Sequence, residues 1–337
     1  MSILTTKYMG IELKNPIIVG ACNLSADSQH LQKMEQAGAA AVVYKSLFEE
    51  QIQLENYQFE QEKAGYNERN AEMQHIFPDI EHAGPKEYLY NLVEAVKSVN
   101  IPVFASLNAV YDETWPVWAA KLEKTGVAGI ELNFYHASDS FDEIEQQLIA
   151  RRIQIIRQVK QVVSIPVAAK LSPYYANPLN VIRQMDEAGA DGFVLFNRLF
   201  QPDIDVEREE HIYPYNLSSP DDHRLALRYA GLLFGTINGN VCSSNGIYDG
   251  RDVVRMLLAG ADAVQVVSTL YKHGIQHVAR MLTDLEAWMN THGYHSLADF
   301  RGKLSQKMLK DPFAYKRGQY VDILMKSDKI FRNYPVV

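Results

Sequence analysis

The sequence has little cysteine and no long run of basic or apolar residues. Its two cysteines, Cys22 and Cys242, in 337 residues are too few for a disulfide framework or a cysteine-rich zinc site, which indicates a reducing compartment. The formal net charge is −8 without any basic cluster, so nucleic acid is not an expected partner. No stretch of ~18 consecutive apolar residues and no secretory leader is visible, and we expect a cytoplasmic protein with no membrane span.

One pattern recurs along the chain: a helix that ends in a small residue and glycine, followed by a short run rich in Val and Ile. Glycine supplies the left-handed helix cap, and the apolar run is typical of a strand buried on both faces. Ile-Pro introduces two further strands. The expected strands are Asn15–Ala21, Ala40–Ser46, Val103–Asn108, Gly129–Asn133, Val167–Ser172, Gly192–Asn197, Asn240–Gly246 and Ala263–Thr269.

Eight alternating strand and helix units predict an α/β fold, a single-domain (β/α)8 or TIM barrel over residues 1–304. Residues 305–337 are predicted to form a C-terminal extension that packs on the barrel or makes a subunit contact. A doubly wound open sheet also alternates strands and helices, but no Gly-x-Gly-x-x-Gly follows the first strand. Long segments after the second and sixth strands are expected to cover the face on which barrels carry their active sites.

The ends of the predicted strands carry amides, hydroxyls and two lysines. Glu131 is the one acid there, so paired-carboxylate hydrolysis and magnesium-dependent chemistry are not expected, and no spacing of ligands indicates a metal site. Amides and lysines suit a flat, electron-accepting ring such as a flavin. The expected strand-end residues are Ala21, Cys22, Asn23, Lys45, Ser46, Ser106, Asn108, Asn133, Lys170, Ser172, Asn197, Ser244, Asn245, Gly246, Ser268 and Thr269.

Lys170 is the strongest single candidate in this ring. A strand lysine inside a barrel is costly unless its charge has a partner, whereas Lys45 could also point outward. Because strand side chains alternate, Lys170 should share a face with Ser172, Glu131 with Asn133, and Leu195 with Asn197. Small polar residues after the last two strands favour a phosphate site, although such residues also cap helices. A lysine beside a phosphate site also allows a second hypothesis, a Schiff-base aldolase or synthase on the same barrel.

The chain resembles the dihydroorotate dehydrogenases, especially their cytosolic class 1 branch, at motifs that run in order along it. These are Leu13-Lys14-Asn15-Pro16, Lys45-Ser46, Glu131-Leu132-Asn133, Lys170-Leu171-Ser172-Pro173-Tyr174, Asn197, Gly246-Ile247, Ser268-Thr269, Gly293-Tyr294, Ala298-Asp299-Phe300 and Gly302-Lys303-Leu304.

The resemblance implies an FMN-dependent oxidoreductase of pyrimidine biosynthesis that transfers hydride from dihydroorotate, or a related small planar cyclic amide, to the flavin. Lys170 would stabilise the reduced ring, and Asn133, Asn197 and Lys45 would bind the substrate. The implied cofactor-binding residues are Ala21, Lys45, Ser46, Asn133, Lys170, Ser244, Asn245, Gly246, Ser268 and Thr269. A homodimer, an iron–sulfur electron-transfer partner, and fumarate or NAD as acceptor all remain open, as does a non-catalytic flavin-binding subunit.

The chain departs from the family in its substrate half. The family follows the strand-four asparagine with Leu-Ser-Cys-Pro-Asn, in which the cysteine removes a proton; here His136 stands at the cysteine position. Histidine is a competent base near neutral pH, so we expect His136 to be catalytic, with a plain loop histidine as the alternative. The family's Asn-Ser-Met-Gly-Leu-Pro-Asn motif has no counterpart, the nearest stretch in place being Met73–Pro78. The family also has glycines at the phosphate loops where this chain has Asn245 and Ser268.

Overall fold

The computed structural model describes residues 3–53, 84–136, 140–214 and 217–326. Met73–Pro78 lies outside the described residues. Thirteen strands lie within them: β1 Thr6–Tyr8, β2 Ile11–Leu13, β3 Ile17–Val19, β4 Ala41–Val43, β5 Leu47–Phe48, β6 Val103–Asn108, β7 Gly129–Asn133, β8 Val167–Leu171, β9 Gly192–Leu195, β10 Asp203–Asp205, β11 Glu210–Ile212, β12 Asn240–Ser244 and β13 Ala263–Val266.

Eight of these strands form a closed parallel barrel in the order β3, β4, β6, β7, β8, β9, β12, β13, and β13 pairs with β3 again. The short β5 continues β4 and also pairs with β6. Each barrel strand lies within a predicted one, so the (β/α)8 prediction is confirmed and the open sheet is excluded. Several predicted strands run a few residues past the observed ends, and in the eighth the extra residues have another structure, because Ser268 and Thr269 begin a helix.

Helices surround the barrel and connect its strands: α1 Ser28–Gln36, α2 Pro85–Ser98, α3 Thr114–Glu123, α4 Glu145–Val162, α5 Pro178–Glu187, α6 His223–Leu233, α7 Gly250–Ala259, α8 Ser268–His273, α9 His277–His292 and α10 Gly318–Met325. Their buried residues and the outward strand residues form the main hydrophobic core. In the part of the chain that the structure describes, no helix combines the length and apolar character needed to cross a bilayer.

The β1–β2 hairpin closes the bottom of the barrel. Tyr8 and Met9 are buried in a second hydrophobic cluster inside the barrel. The hairpin fits because two strands begin with glycine: a Cβ on Gly129 would lie 3.3 Å from Met9 Cε, and one on Gly192 would lie 2.8 Å from Met9 Cγ. With the bottom filled by apolar side chains, a ligand can enter only from the carboxyl ends of the strands.

The described part of the C-terminal extension packs against α6. Gln306 N donates to Gly231 O at 2.9 Å, and Arg228 Nη2 donates to Tyr315 O at 3.0 Å. Tyr315 also donates from its hydroxyl to Leu304 O at 2.7 Å. These contacts hold the extension to the side of the barrel, away from the strand ends, while several apolar residues of α10 remain exposed. The division at residue 304 stays a prediction.

Candidate active site

A cavity of about 400 Å³ opens at the carboxyl ends of the barrel strands. Its volume lies in the range of pockets that bind small molecules and cofactors. Residues from seven strand ends and the loops that follow them contribute to its wall. The lining residues are Ala21, Cys22, Asn23, Lys45, Ser46, Phe48, Asn133, Tyr135, Lys170, Phe196, Asn197, Arg198, Phe200, Leu217, Ser218, Ser244, Asn245, Gly246, Ile247, Gln265, Val266, Val267 and Ser268.

Most of the predicted site residues meet in this cavity. The structure brings together Ala21, Lys45, Ser46, Asn133, Lys170, Asn197, Ser244, Asn245, Gly246 and Ser268. Thr269 does not line it: its side chain is buried, and Oγ1 donates to Tyr248 O at 3.1 Å. His136 lies elsewhere, as described below. Among the described residues, no group of three or more His, Cys, Asp and Glu side chains could hold a metal ion.

Lys170 lies on β8 inside the barrel and has a counter-ion. Its Nζ is 3.2 Å from Glu131 Oε1, and the two side chains are 12% and 3% exposed. Glu131 Oε2 accepts a 2.5 Å hydrogen bond from Gln265 Nε2 on β13, across the interior of the barrel. Glu131 is therefore the partner that the sequence argument required for a buried ammonium. Lys170 still lines the cavity, so its charge also acts on whatever binds there.

The two site asparagines form a hydrogen-bonded pair. Asn197 Nδ2 donates to Asn133 Oδ1 at 2.7 Å, and Asn108 Nδ2 donates to the main-chain oxygen of Asn133 at the same distance. This arrangement leaves the amide hydrogens of Asn133 and the Oδ1 of Asn197 to face the cavity. A donor next to an acceptor matches the edge of a cyclic amide, which presents a carbonyl oxygen and an N–H side by side.

Asn197 does not reach the cavity by the predicted alternation. Val194 faces the barrel interior and Leu195 packs in the outer core, so Leu195 and Asn197 do not share a face as expected. The strand ends at Leu195, and Asn197 is placed by the loop, where its main-chain N–H donates to Leu171 O at 2.7 Å.

Lys45 and Ser46 line the cavity from the end of the second barrel strand. Ser46 Oγ lies 2.7 Å from Ser106 Oγ, which fixes its orientation. Tyr88 donates to the main-chain oxygen of Lys45 at 2.6 Å. Among the described residues, no carboxylate forms an ion pair with Lys45, in contrast to Lys170. Lys45 is therefore available to an anionic group of a ligand.

The predicted phosphate end of the cavity contains a residue that sequence reasoning missed. Asn245 and Gly246 both have left-handed backbone angles, with φ of 73° and 66°. The buried Ser218, from the long loop after β9, accepts from Gly246 N at 3.3 Å and donates its own N–H to Ser268 Oγ at 2.9 Å. Ser218 thus engages groups that were expected to face a phosphate. No sequence motif singled it out, because its segment has no periodicity.

The mouth of the cavity is lined by aromatic side chains and an arginine, also missed from the sequence. Phe48 ends β5, and Tyr135 and Phe200 lie in the segments after β7 and β9. Tyr135 Oη accepts a hydrogen bond of 3.2 Å from Phe200 N. Arg198 Nη1 pairs with Asp222 Oδ2 at 2.6 Å. Apolar rings at the rim exclude water from the polar groups below them, which strengthens the electrostatic interactions of those groups.

His136 faces a neighbouring cavity. Its Nε2 lies 3.0 Å from Glu143 Oε1 and 3.1 Å from Glu143 Oε2. That second cavity is lined by His136 and Glu143 together with Arg152 and Tyr175, and it shares none of its lining residues with the main one. The structure therefore does not bring His136 together with the other predicted site residues.

Comparison with known proteins supplies the family. The family model for dihydroorotate dehydrogenase matches residues 76–289, more than half of the chain. The chain belongs to the dihydroorotate dehydrogenase family. This confirms the family suspected from the sequence motifs and, with it, the oxidoreductase class.

Similar proteins cover nearly the whole chain. A dihydroorotate dehydrogenase B (NAD(+)) catalytic subunit from Thermoplasma volcanium is 25% identical over 90% of this chain and 98% of its own length. The protein of the same name from Pyrococcus horikoshii is 26% identical over 89% of this chain and 97% of its own length. Another, from Geobacter sp. strain M21, reaches 30% identity over 67% of this chain and 75% of its own length.

Proposed function

We propose that this member of the family is an FMN-dependent enzyme that oxidises dihydroorotate or a closely related dihydropyrimidine. The observation that carries the proposal is the Asn133–Asn197 pair, which offers an amide donor and an amide acceptor beside the ammonium of Lys170. The names of the similar proteins point to the same substrate.

The residues of the cavity fit a flavin at its ring end. Lys45, Lys170 and Ser46 provide donors for the ring oxygens and nitrogens. Gln265 Oε1 is a buried acceptor without a hydrogen-bond partner, and Gln265 lines the cavity, so a ring N–H would satisfy it. At the other end Ser244, Asn245 and Ser268 line the cavity. Ser268 Oγ accepts from Ser218 N and Asn245 Nδ2 donates to Phe196 O at 2.9 Å, but each group keeps one further hydrogen that could be donated to a phosphate. Gly246 N is engaged by Ser218, so we assign the phosphate to the side chains more than to the Gly246 backbone.

Each polar group of the cavity would have a separate role in the reaction. When bound, FMN supplies the acceptor for a hydride. Lys170 balances negative charge that develops on the ring, and its ion pair with Glu131 holds the ammonium in place. Asn133 and Asn197 orient the cyclic amide of the substrate, and Lys45 binds its anionic group. The aromatic rim keeps water out while hydride moves.

The Schiff-base alternative is disfavoured by the same ion pair. Imine formation needs the neutral amine of a lysine, whereas the Glu131 carboxylate 3.2 Å from Lys170 stabilises the ammonium. Treatment with borohydride in the presence of a carbonyl substrate should leave the mass of the protein unchanged. A mass adduct at Lys170 would favour an aldolase or synthase instead.

A visible spectrum tests the proposal directly. We expect the purified chain, or the chain after addition of FMN, to show bound-flavin absorbance that bleaches anaerobically when dihydroorotate or a related dihydropyrimidine is added. Asn197→Ala should raise the Kd of the product orotate by about 5- to 100-fold, because one partner of a buried amide pair is lost. Asn180→Ala, on the outer helix α5, is the matched control and should leave this Kd unchanged. A protein that stays colourless with FMN refutes the cofactor assignment.

We also propose that the chain is a cytoplasmic catalytic subunit that passes electrons to NAD through a partner. The support is the name shared by several similar proteins, which specifies NAD(+) and a catalytic subunit. The isolated chain should then reduce an artificial dye but form no NADH. Formation of NADH by the isolated chain would refute the need for a partner.

A further inference from the structure

Oxidation of a saturated C–C bond requires a proton acceptor as well as a hydride acceptor. The sequence places His136 at the position where the family has its base, but the imidazole is turned toward Glu143 in a different cavity. The main cavity therefore needs a proton-accepting group from elsewhere. A candidate must lie within hydrogen-bond reach of a ligand placed there.

Tyr135 lies in that position. β7 ends at Asn133, and the chain then turns: Tyr135 N donates to Asn133 O at 2.8 Å. Phe134, at the centre of this turn, is buried and packs on Trp115, with ring centroids 5.1 Å apart. Its N–H donates to Lys170 O at 3.1 Å, which ties the turn to β8. The turn leaves Tyr135 in the wall of the main cavity with Asn133 and Lys170, while His136 lines the neighbouring cavity.

The environment of the Tyr135 hydroxyl suits proton transfer. Phe200 N donates to Oη at 3.2 Å, which fixes the position of this oxygen and leaves the phenolic hydrogen free to point at a ligand. The charged groups that line the same cavity are Lys45, Lys170 with its partner Glu131, and Arg198 with its partner Asp222. Tyr135 is therefore an oxygen donor and acceptor on the cavity wall, next to the polar groups that would hold the substrate.

The other acidic group on the cavity wall is a thiol. Cys22 lines the cavity, and burial raises its pKa above the ordinary value, against smaller opposing effects of hydrogen bonds from Ser25 and Leu24. Cys22 follows β3, on the opposite side of the barrel from β8, which carries Lys170. Tyr135 is the closer of the two in the barrel order to the residues that would orient the substrate, because it follows Asn133 on β7.

We propose, on the basis of the oxidation proposed above, that Tyr135 is the catalytic residue that exchanges the substrate proton. The C–H bond at one ring carbon breaks, its proton forms the O–H bond of the Tyr135 phenolate, and its electron pair forms the C=C bond. The neighbouring carbon loses hydride to the oxidised flavin, which gains both electrons. In the reverse direction the neutral phenol donates the proton. His136 has no part in the step.

The test uses the full chain loaded with FMN and compares Tyr135→Phe with two other variants. Tyr135→Phe should slow anaerobic bleaching of the flavin by dihydroorotate by about 10²- to 10⁴-fold, the usual effect of losing a general base. Its visible spectrum should match that of the wild type. Its Kd for orotate should stay within about threefold of the wild-type value, a difference in binding free energy below 1 kcal/mol. Tyr174→Phe is the matched control: Tyr174 lines the cavity that contains His136 but not the main one, and its rate should be unchanged.

Single variants separate the two candidate bases. Tyr135→Phe should lose the bleaching rate, whereas His136→Asn should keep it. Tyr135→His should recover part of the rate that Tyr135→Phe loses, because an imidazole at this position can also accept a proton.

Two results would overturn the assignment to Tyr135. One is a Tyr135→Phe variant that bleaches at the wild-type rate; the other is a His136→Asn variant that loses the rate while Tyr135→Phe keeps it. Failure of the proposed function has a different signature, since wild-type flavin would then stay oxidised with every dihydropyrimidine tried. The orotate Kd and the bound-flavin spectrum identify a variant that has merely lost its fold.

Discussion

The buried ion pair between Glu131 and Lys170 makes a quantitative prediction about stability. Glu131→Gln removes one charge and keeps the side-chain shape, and the new amide oxygen can still accept the hydrogen bond from Gln265. Lys170, whose side chain is 12% exposed, then has no counter-ion. Lys170→Met makes the converse change and leaves the carboxylate of Glu131, 3% exposed, without its cation.

The magnitude follows from the burial of both groups. Removing one partner of a buried pair typically costs about 3–5 kcal/mol of unfolding free energy. We expect about 3 kcal/mol for each single variant, at the low end because Lys170 reaches the cavity, where water enters when no ligand is bound. The double variant Glu131→Gln/Lys170→Met has no unpaired charge, so its loss should be about 2 kcal/mol or less. The coupling free energy of the cycle is then about 4 kcal/mol.

The assay is urea unfolding of the flavin-free chain, followed by tryptophan fluorescence and circular dichroism, whose transitions must coincide for a two-state fit. Flavin is left out because its binding adds a concentration-dependent term to the apparent stability. A coupling below about 0.5 kcal/mol, within ordinary additivity, would refute the idea that the two side chains compensate each other. Asn180→Ala in α5 should leave the unfolding free energy within about 0.5 kcal/mol of the wild type.

Three further predictions follow from the site and its surroundings. Gly246→Ala should lower the unfolding free energy by about 3 kcal/mol and weaken FMN retention. The reason is that φ is 66° at Gly246 and a Cβ there would overlap the His223 backbone. The control is Gly274→Ala, where φ is 82° but the space is open, and its cost in unfolding free energy should be about 1 kcal/mol. Burial raises the pKa of Asp222, but the Ser219 N–H and Arg198 outweigh it and lower the pKa overall. Because the pKa of Asp222 is lower in the folded than in the unfolded chain, its carboxylate stabilises the fold above the unfolded pKa. Asp222→Asn should therefore lower the unfolding free energy by about 1 kcal/mol at pH 7. Urea unfolding should show this difference shrinking below about pH 4 and disappearing as the pH falls through the folded pKa. Saturating FMN at 100 times its Kd should raise the unfolding free energy by about 2.7 kcal/mol; a thermal shift that does not grow with FMN concentration would contradict the cofactor site.

The barrel could be predicted from the sequence because its signals are local. Four strands are short apolar runs after a glycine-capped helix, two follow Ile-Pro, and all eight observed barrel strands lie within the predicted runs. The error at Ser268 and Thr269 has the same local origin, since small polar residues end strands and begin helices equally well. The β1–β2 hairpin that fills the bottom of the barrel was not predicted. Its fit depends on Gly129 and Gly192, which are distant in sequence from Met9 and leave room for its side chain.

The candidate site was predictable only where strands position it. Lys170 and Asn133 are strand residues, and both line the cavity as expected. Glu131 was expected on the same face as Asn133, but its ion pair with Lys170 depends on the register between β7 and β8, which opposes Asn133 to Lys170. Ser218 and Phe200 come from the long segment after β9, where no periodicity fixes which residues turn inward. Such contacts are set by tertiary packing.

The choice between Tyr135 and His136 shows how two kinds of sequence evidence can disagree. Motif resemblance matches residues by their order in the chain and so puts His136 in the place of the family's base. Side-chain alternation matches residues by the direction they face, and counting by two from Glu131 leads through Asn133 to Tyr135. The structure agrees with the second kind of evidence about Tyr135, although β7 ends at Asn133. The turn that follows, with Phe134 packed on Trp115, leaves Tyr135 in the wall of the main cavity. If Tyr135 exchanges the substrate proton, Tyr135→His should restore part of the rate that Tyr135→Phe loses, and equal rates in these two variants would argue against proton transfer at this position.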